Sequence, residues 1–421
     1  MSVKPFFVFL ITSATSLAQH DMSSMNMPGM DMAGTPPAQS FLMNLASGTS
    51  LNPAAWPMPM LTTTAGNWTF NSMAQAFLVE TQQTGPRGAD KLYSTNWFMG
   101  SASHKLGRNG AIQFDTMLSL EPATITDRRY PLLFQTGETA FGKPIIDGQH
   151  PHNLIMAIGF TYANHLSENT TLELAFHPVG DPALGPVAYP HRASAMELPQ
   201  APISHHLQDS THISDDVITA GIAVKQFKLE ASGFHGAEPD ENRWHIQQGA
   251  IDSWSTRLWF TPSPNWAAQI STGHLTHPET LEPGDQQRTT ASLAYTKPLP
   301  GRSFSSTFIW GRVHYTANGQ NANSFLAETV VPVSRRNFLT ARAELADKDE
   351  LFGLGSNSSY RIGAYTGGLT HDFSLFTHLE TGLGANLTFY SFPSSLKPDY
   401  GNHPLSANVF LRLRLRPNGA K

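Results

Sequence analysis

Cysteine is missing from the chain altogether. That excludes disulfides, thiolate metal sites and thiol nucleophiles. Charge is scarce too: Asp, Glu, Lys and Arg supply 14% of the 421 residues, against roughly 25% in ordinary soluble domains. Past the first residues no apolar run reaches the roughly 18 positions a spanning helix needs, so transmembrane helices are excluded. A formal net charge of −5 lacks the basic footprint of a nucleic-acid partner. No internal repeat recurs, which argues against a propeller. What remains is a chain that is 40% apolar, with 33 glycines and 25 phenylalanines, dispersed in short segments.

Residues 1–18, "MSVKPFFVFLITSATSLA", read as a secretory signal peptide: Lys4 in a basic start, an apolar stretch from Phe6 to Ile11, and Ser16-Leu17-Ala18 as a small-residue cleavage site. The segment 19–66 is expected to be a flexible periplasmic leader. It opens on "QHDMSSMNMPGMDM" (19–32), five methionines in a polar setting. Within it, "SFLMNLASG" suggests a short helix capped by Ser40, with Phe41, Leu42 and Leu45 on one side.

From residue 67 to 416 the chain reads as strands of about ten residues with period-two alternation. In "NVFLRLRLRP", Val409, Leu411, Leu413 and Leu415 face one way, Arg412, Arg414 and Arg416 the other. "FLTARAELAD", "IDSWSTRLWF" and "KLEASGFHG" behave alike. A soluble sandwich also alternates, so the connections decide. Short links such as "GRNG", "VKQ", "TPSPN", "VSRR" and "THD" alternate with long ones near 80–91, 121–152, 179–212, 236–250 and beyond. That rhythm predicts an all-β fold: a closed antiparallel transmembrane β-barrel of about 16 strands. It would sit in the bacterial outer membrane, short turns and leader in the periplasm, with residues 417–421 as a tail. Its expected partners are outer-membrane lipids and the barrel-assembly machinery.

Thirteen of the eighteen histidines fall in or beside the long connections. Neutral imidazole suits Zn²⁺ and Cu²⁺. "GQHPHN" carries His150 and His152, and "SHHLQDSTHISDD" carries His205, His206 and His212 beside Asp209, Asp215 and Asp216. These five histidines are the expected loop site, because the two longest loops can fold over the mouth. Metal affinity there should fall as pH drops through about 6.5, the ordinary imidazole value. Met22, Met25, Met27, Met30 and Met32, led by His20, form a second, soft set. Thioethers select Cu(I), and without cysteine they are the soft donors left. No cofactor is assigned beyond these two candidate metal sets.

The methionine tract resembles the leaders of bacterial copper-resistance outer-membrane proteins. The body, in stretches such as "SGTSLNP", "GPRGADK", "YPLLFQTGET" and "GQHPHN", is similar to a little-characterised group of exported barrel proteins. The first resemblance implies copper or heavy-metal binding, transport or resistance, with periplasmic copper-handling proteins as partners.

Two other functions are weighed beside it. Arg257, Arg288, Arg312, Arg342, Arg412 and Arg414 are read as inward and pore-lining, against fewer acids such as Glu230 and Glu344, which suits a general or anion-preferring porin. An outer-membrane hydrolase would need a Ser–His pair at the rim. His212 with Ser214 and Asp215, or His205 with Ser204, are the local candidates, and no G-x-S-x-G elbow occurs. The chain is not expected to be an enzyme.

Overall fold

The computed structural model describes residues 36–353, 358–373, 375–376 and 378–415. The signal segment, the methionine tract with His20, Arg416 and the tail lie outside the described residues.

A short β1 (Leu61–Ala65) turns back on the start of β2 (Trp68–Gln83). Next come β3 (Lys91–Leu106), β4 (Gly110–Leu118), β5 (Tyr130–Ala140), β6 (Lys143–Gln149), β7 (Ile155–Ser167) and β8 (Thr170–Gly180). β9 (Ser214–Val224), β10 (Phe227–His235), β11 (Ser253–Phe260), β12 (Trp266–Leu275) and β13 (Gln286–Leu299) follow. The last are β14 (Arg302–Tyr315), β15 (Asn321–Pro332), β16 (Asn337–Lys348), β17 (Tyr360–Phe373), β18 (Leu379–Ser391) and β19 (Leu405–Leu415).

All except β1, β5 and β6 form the wall, sixteen antiparallel strands closed by β19 against β2, with Leu411 opposite Leu78. Closure removes every free edge, which is what a backbone in lipid requires. The outer face carries large apolar side chains in the open, among them Leu78, Leu174, Phe308, Leu383 and Val409. Water would penalise such a surface and lipid would not. Next to the short turns, Trp266 stacks near Tyr295 (4.5 Å) and Phe227 near Phe260 (4.9 Å), the aromatic belt of a membrane interface. The fold is that of a closed sixteen-strand β-barrel with a lipid-facing wall.

The alternation runs as expected on β10, β11, β16 and β19: Arg257, Arg342 and Arg412 point inward and are buried, while Leu258, Leu339 and Leu411 are exposed outside. Two expectations need correction. Arg312 belongs to the outer set: it is exposed, and its guanidinium is held by Asn321 Oδ1 at 2.7 Å. "THD" (370–372) is no turn, because β17 continues to Phe373 and turns Asp372 inward onto Arg412.

The lumen is filled by the chain itself. The expected leader 19–66 therefore divides, because residues 36–60 pack inside the barrel. A helix, α1 (Pro37–Met43), begins with proline at its first position, where no backbone donor is lost. Ser40 lies within this helix and does not cap it. Ala38 and Leu42 lie against Ala111 and Ala163, two small inward residues that leave room for a helix. Gln39 Nε2 donates to Thr69 Oγ1 (3.0 Å) and Ser103 Oγ (2.9 Å) on the wall.

The larger filling is the β8–β9 connection, in which every residue from 181 to 209 is buried. It crosses the lumen as a string of polar contacts. Ala183 N donates to Ser232 Oγ (2.8 Å), Ser194 Oγ to Thr307 Oγ1 (2.7 Å), and Ser204 Oγ to Glu344 Oε2 (2.8 Å). Arg192 pairs with Glu328 (2.6 Å), and Glu197 with Arg412 and Arg414. A third insertion, residues 119–154 with the β5–β6 hairpin, closes over it from the long-loop end; Ala201 N donates to Tyr130 Oη at 3.0 Å.

Candidate metal centre

The two insertions from the long-loop end meet at five histidines. His150 and His152 follow β6. His205 and His206 lie in one 3₁₀ turn (His205–Leu207), and His212 ends another (Ser210–His212). All five are buried. Their rings touch in a chain: His150–His206 5.4 Å, His206–His205 5.1 Å, His205–His212 5.3 Å, His212–His152 5.3 Å between centroids. One nitrogen each from His150, His205 and His206 lies within 4.8 Å of the other two.

Hydrogen bonds fix the tautomers. His150 Nδ1 lies 3.0 Å from Pro151 O, and His212 Nδ1 2.8 Å from Asp209 O. A carbonyl can only accept, so both Nδ1 atoms carry the proton. His205 Nδ1 donates to Asp209 Oδ1 (2.7 Å) and His152 Nδ1 to Glu121 Oε2 (2.9 Å). Four imidazoles are thereby held as Nδ1–H with Nε2 carrying the lone pair. This is how metal-binding histidines are oriented from behind.

The Nε2 atoms of His150 and His212 and both ring nitrogens of His206 are buried without a hydrogen-bond partner. His150 Nε2 does approach Glu138 Oε1 to 2.7 Å, but off the line of a hydrogen bond. Glu138 is itself paired with Arg243 through its other oxygen. Burial costs a charged imidazole its hydration, and the pKa values of His150, His205, His206 and His212 all move below the ordinary value. At neutral pH the rings are uncharged, each with one nitrogen whose lone pair can bind an ion. Asp209 resists the upward push of burial through His205 and Arg192 and stays ionised, held down to about 2.

The chemistry this set suits is coordination of a borderline divalent ion such as Zn²⁺ or Cu²⁺ by three imidazoles, with Glu138 adjacent. Glu121, Glu138 and Tyr189, whose hydroxyl lies 3.4 Å from His152 Nε2, carry no local signal that would mark them in the sequence. Other loop histidines stay apart: His235, His245, His274 and His277 each lie near a rim acid, Asp252, Asp240 or Asp285. Neither hydrolase pair forms. Ser204 Oγ is committed to Glu344 and Gln208 while His205 faces Asp209, and Ser214 Oγ donates to Thr211 O.

The inward arginines are neutralised. Arg257 pairs with Glu230 (3.0 Å), Arg288 with Glu238 (3.3 Å), Arg342 with Glu328 (2.9 Å), and Arg414 with Glu380 (2.7 Å). Acids are not the minority expected from the sequence: Glu173, Glu230, Glu328, Glu344, Asp372 and Glu380 all line the wall. A void between the infolded loop and the wall, lined by Trp97, Glu121, His152 and Tyr189, measures about 20 Å³, room for about one water.

No sequence-family model and no curated protein matches the chain. Solved structures do. An anion-selective porin from Comamonas acidovorans is similar over 82% of this chain and 99% of its own, with a TM-score of 0.54 at 10% identity. Salmonella typhi OmpF, in complex with daunomycin, aligns over 84% and 100% with a TM-score of 0.51 at 8% identity. Pseudomonas putida OprB aligns over 83% and 94% with a TM-score of 0.50 at 8% identity. What these share with the chain is the fold of the wall.

Proposed function

We propose that this is a porin-type barrel of the bacterial outer membrane, closed by its own insertions, which handles transition-metal ions at the mouth. The observation that carries the reading is the convergence of His150, His205 and His206 from two separate insertions, each with a nitrogen free for an ion and a fixed hydrogen bond behind His150 and His205. Zn²⁺ titration of the full chain in detergent tests it. One tight site is expected, lost when the three histidines become alanine. Equal binding by both proteins overturns the reading. The methionine tract 19–32 extends the same function to Cu(I): a peptide of those residues should bind Ag(I) and lose it when its methionines become leucine.

The second reading is a general or anion-preferring porin, favoured by the likeness of the wall to porins. Against it stand the filled lumen and the paired arginines. Planar-bilayer conductance separates the two. The closed reading expects few open events from the whole protein and a large rise when residues 186–208 are replaced by a short linker; a steady, anion-selective current from the whole protein supports the porin.

A further inference from the structure

Of the fourteen methionines, six (Met1, Met22, Met25, Met27, Met30 and Met32) precede residue 36. The other eight, from Met43 to Met196, all belong to one cluster inside the lumen. They arrive from the N-terminal segment, four neighbouring wall strands and the infolded loop. The register aligns three of them: Met73 sits opposite Met99 across β2–β3, and Met99 opposite Met117 across β3–β4. Directly paired residues on one face bring their side chains within about 5 Å.

Methionine fills cores well, and filling alone is the simpler reading. Two observations tell against it. The other large lumenal cluster is built from Phe, Tyr, Leu, Ile, Val and Ala and contains no methionine. And the thioether row ends on a buried imidazole: His191 Nε2 lies 3.1 Å from Met117 Sδ, with the Trp97 ring 4.4 Å from that imidazole. A thioether is a weak hydrogen-bond partner for a ring nitrogen removed from water. Two ligands of one ion, at metal distances of about 2.0 Å for nitrogen and 2.3 Å for sulfur, fall about 3 to 3.5 Å apart.

We propose that Met117 Sδ and His191 Nε2, flanked by the thioethers of Met73 and Met99 and the indole of Trp97, form a buried site for a soft monovalent cation, Cu(I) or Ag(I). Thioether and neutral imidazole donors select such an ion without an anionic ligand, and an indole face attracts a cation further. Divalent ions favour the imidazoles of the mouth. The void lined by Trp97 and His152 touches the indole of this site and one histidine of the mouth cluster. The proposal extends the metal-handling reading but stands on different residues, so each can fail alone.

The test uses the full chain in detergent with Ag(I) as probe, in a background where the five tract methionines are leucine. About one Ag(I) per chain is expected, with a change in tryptophan fluorescence that disappears in Trp97→Phe. Met117→Leu, nearly isosteric, and His191→Gln should each weaken Ag(I) binding at least tenfold and leave Zn²⁺ binding at His150, His205 and His206 unchanged. Heat-modifiable gel mobility checks that each variant is a folded barrel. If one variant fails to fold, the other and Trp97→Phe decide. The proposal is overturned if the tract-free protein binds no Ag(I), or if the folded variants keep full affinity and the fluorescence change.

Discussion

Arg192 of the infolded loop places its Nε 2.6 Å from Glu328 Oε1 on the wall. Its Nη1 lies 3.2 Å from Asp209 Oδ2, the carboxylate that orients His205. One guanidinium therefore ties the filling to the barrel and the barrel to the histidine cluster. Removing one partner from such a buried network leaves unpaired charge and costs about 3 to 5 kcal/mol. Arg192→Ala should loosen the segment 181–209, seen as faster cleavage by added protease and more frequent bilayer openings than in the unaltered protein. Unchanged cleavage would mean that the other polar contacts alone hold the loop.

A second tie is sensitive to pH. Ser47 Oγ donates to Asp181 Oδ2 at 2.7 Å, joining the N-terminal segment to the infolded loop. Burial raises the Asp181 carboxyl to about 7, against the pull of Arg257 and the Ser47 hydrogen bond, with Asp209 and Glu230 adding to the rise. A folded-state value above the unfolded one of about 3.9 means that the native form binds the extra proton. The stabilising contribution is fully present below about pH 3.9 and is lost as pH rises through about 7. Hydrogen-exchange protection of residues 45–52 should therefore fall as pH rises from about 4 to about 7 and level off above, and Asp181→Asn should flatten the dependence.

How far the sequence told the story can be read on single strands. "NVFLRLRLRP" was legible because its outer face meets lipid and its inner face meets charge, so apolar and basic residues alternate cleanly. Arg312 was not, because Ile309 and Val313, both fully buried, face inward on β14. There the lumen holds protein, with Leu207 O against Gly311, so both faces of the strand are apolar in part and polarity does not mark the inside. The same filling hid residues 36–60, whose short apolar pieces suit a lumen and look like a loose leader. The five mouth histidines could be named from the lengths of their loops. The lumenal methionines could not, since Met43 to Met196 are scattered and only the register of β2, β3 and β4 lines them up.

Space behind His206 is set by Gly137. A side-chain carbon at that position would stand 2.5 Å from His206 Nδ1, and the backbone there has φ +109°, a conformation side-chain-bearing residues rarely take. Gly137→Ala should displace His206 and weaken Zn²⁺ binding at least tenfold while leaving every proposed ligand in the sequence. Ag(I) binding at Met117 should not change. Intact Zn²⁺ affinity in the folded variant would remove His206 from the ligand set.

Asp209 offers the sharpest test of the centre, because its two oxygens and its carbonyl do different things. The side chain accepts from His205 Nδ1 (2.7 Å), from Tyr189 N (2.9 Å) and from Arg192, and the carbonyl accepts from His212 Nδ1 (2.8 Å). Asp209→Asn keeps the shape and the carbonyl but exchanges one oxygen for a donor and removes the charge. If the amide NH₂ turns to His205, the imidazole must present Nδ1 as an acceptor and carry its proton on Nε2, the atom needed for the ion. Loss of such an outer partner lowers metal affinity by about 10- to 100-fold. The expected result is a loss of that size for Zn²⁺ in the folded variant, with part of it recovered by Asp209→Glu, which restores the carboxylate. Equal affinity in Asp209→Asn would mean that His205 does not bind the ion through Nε2.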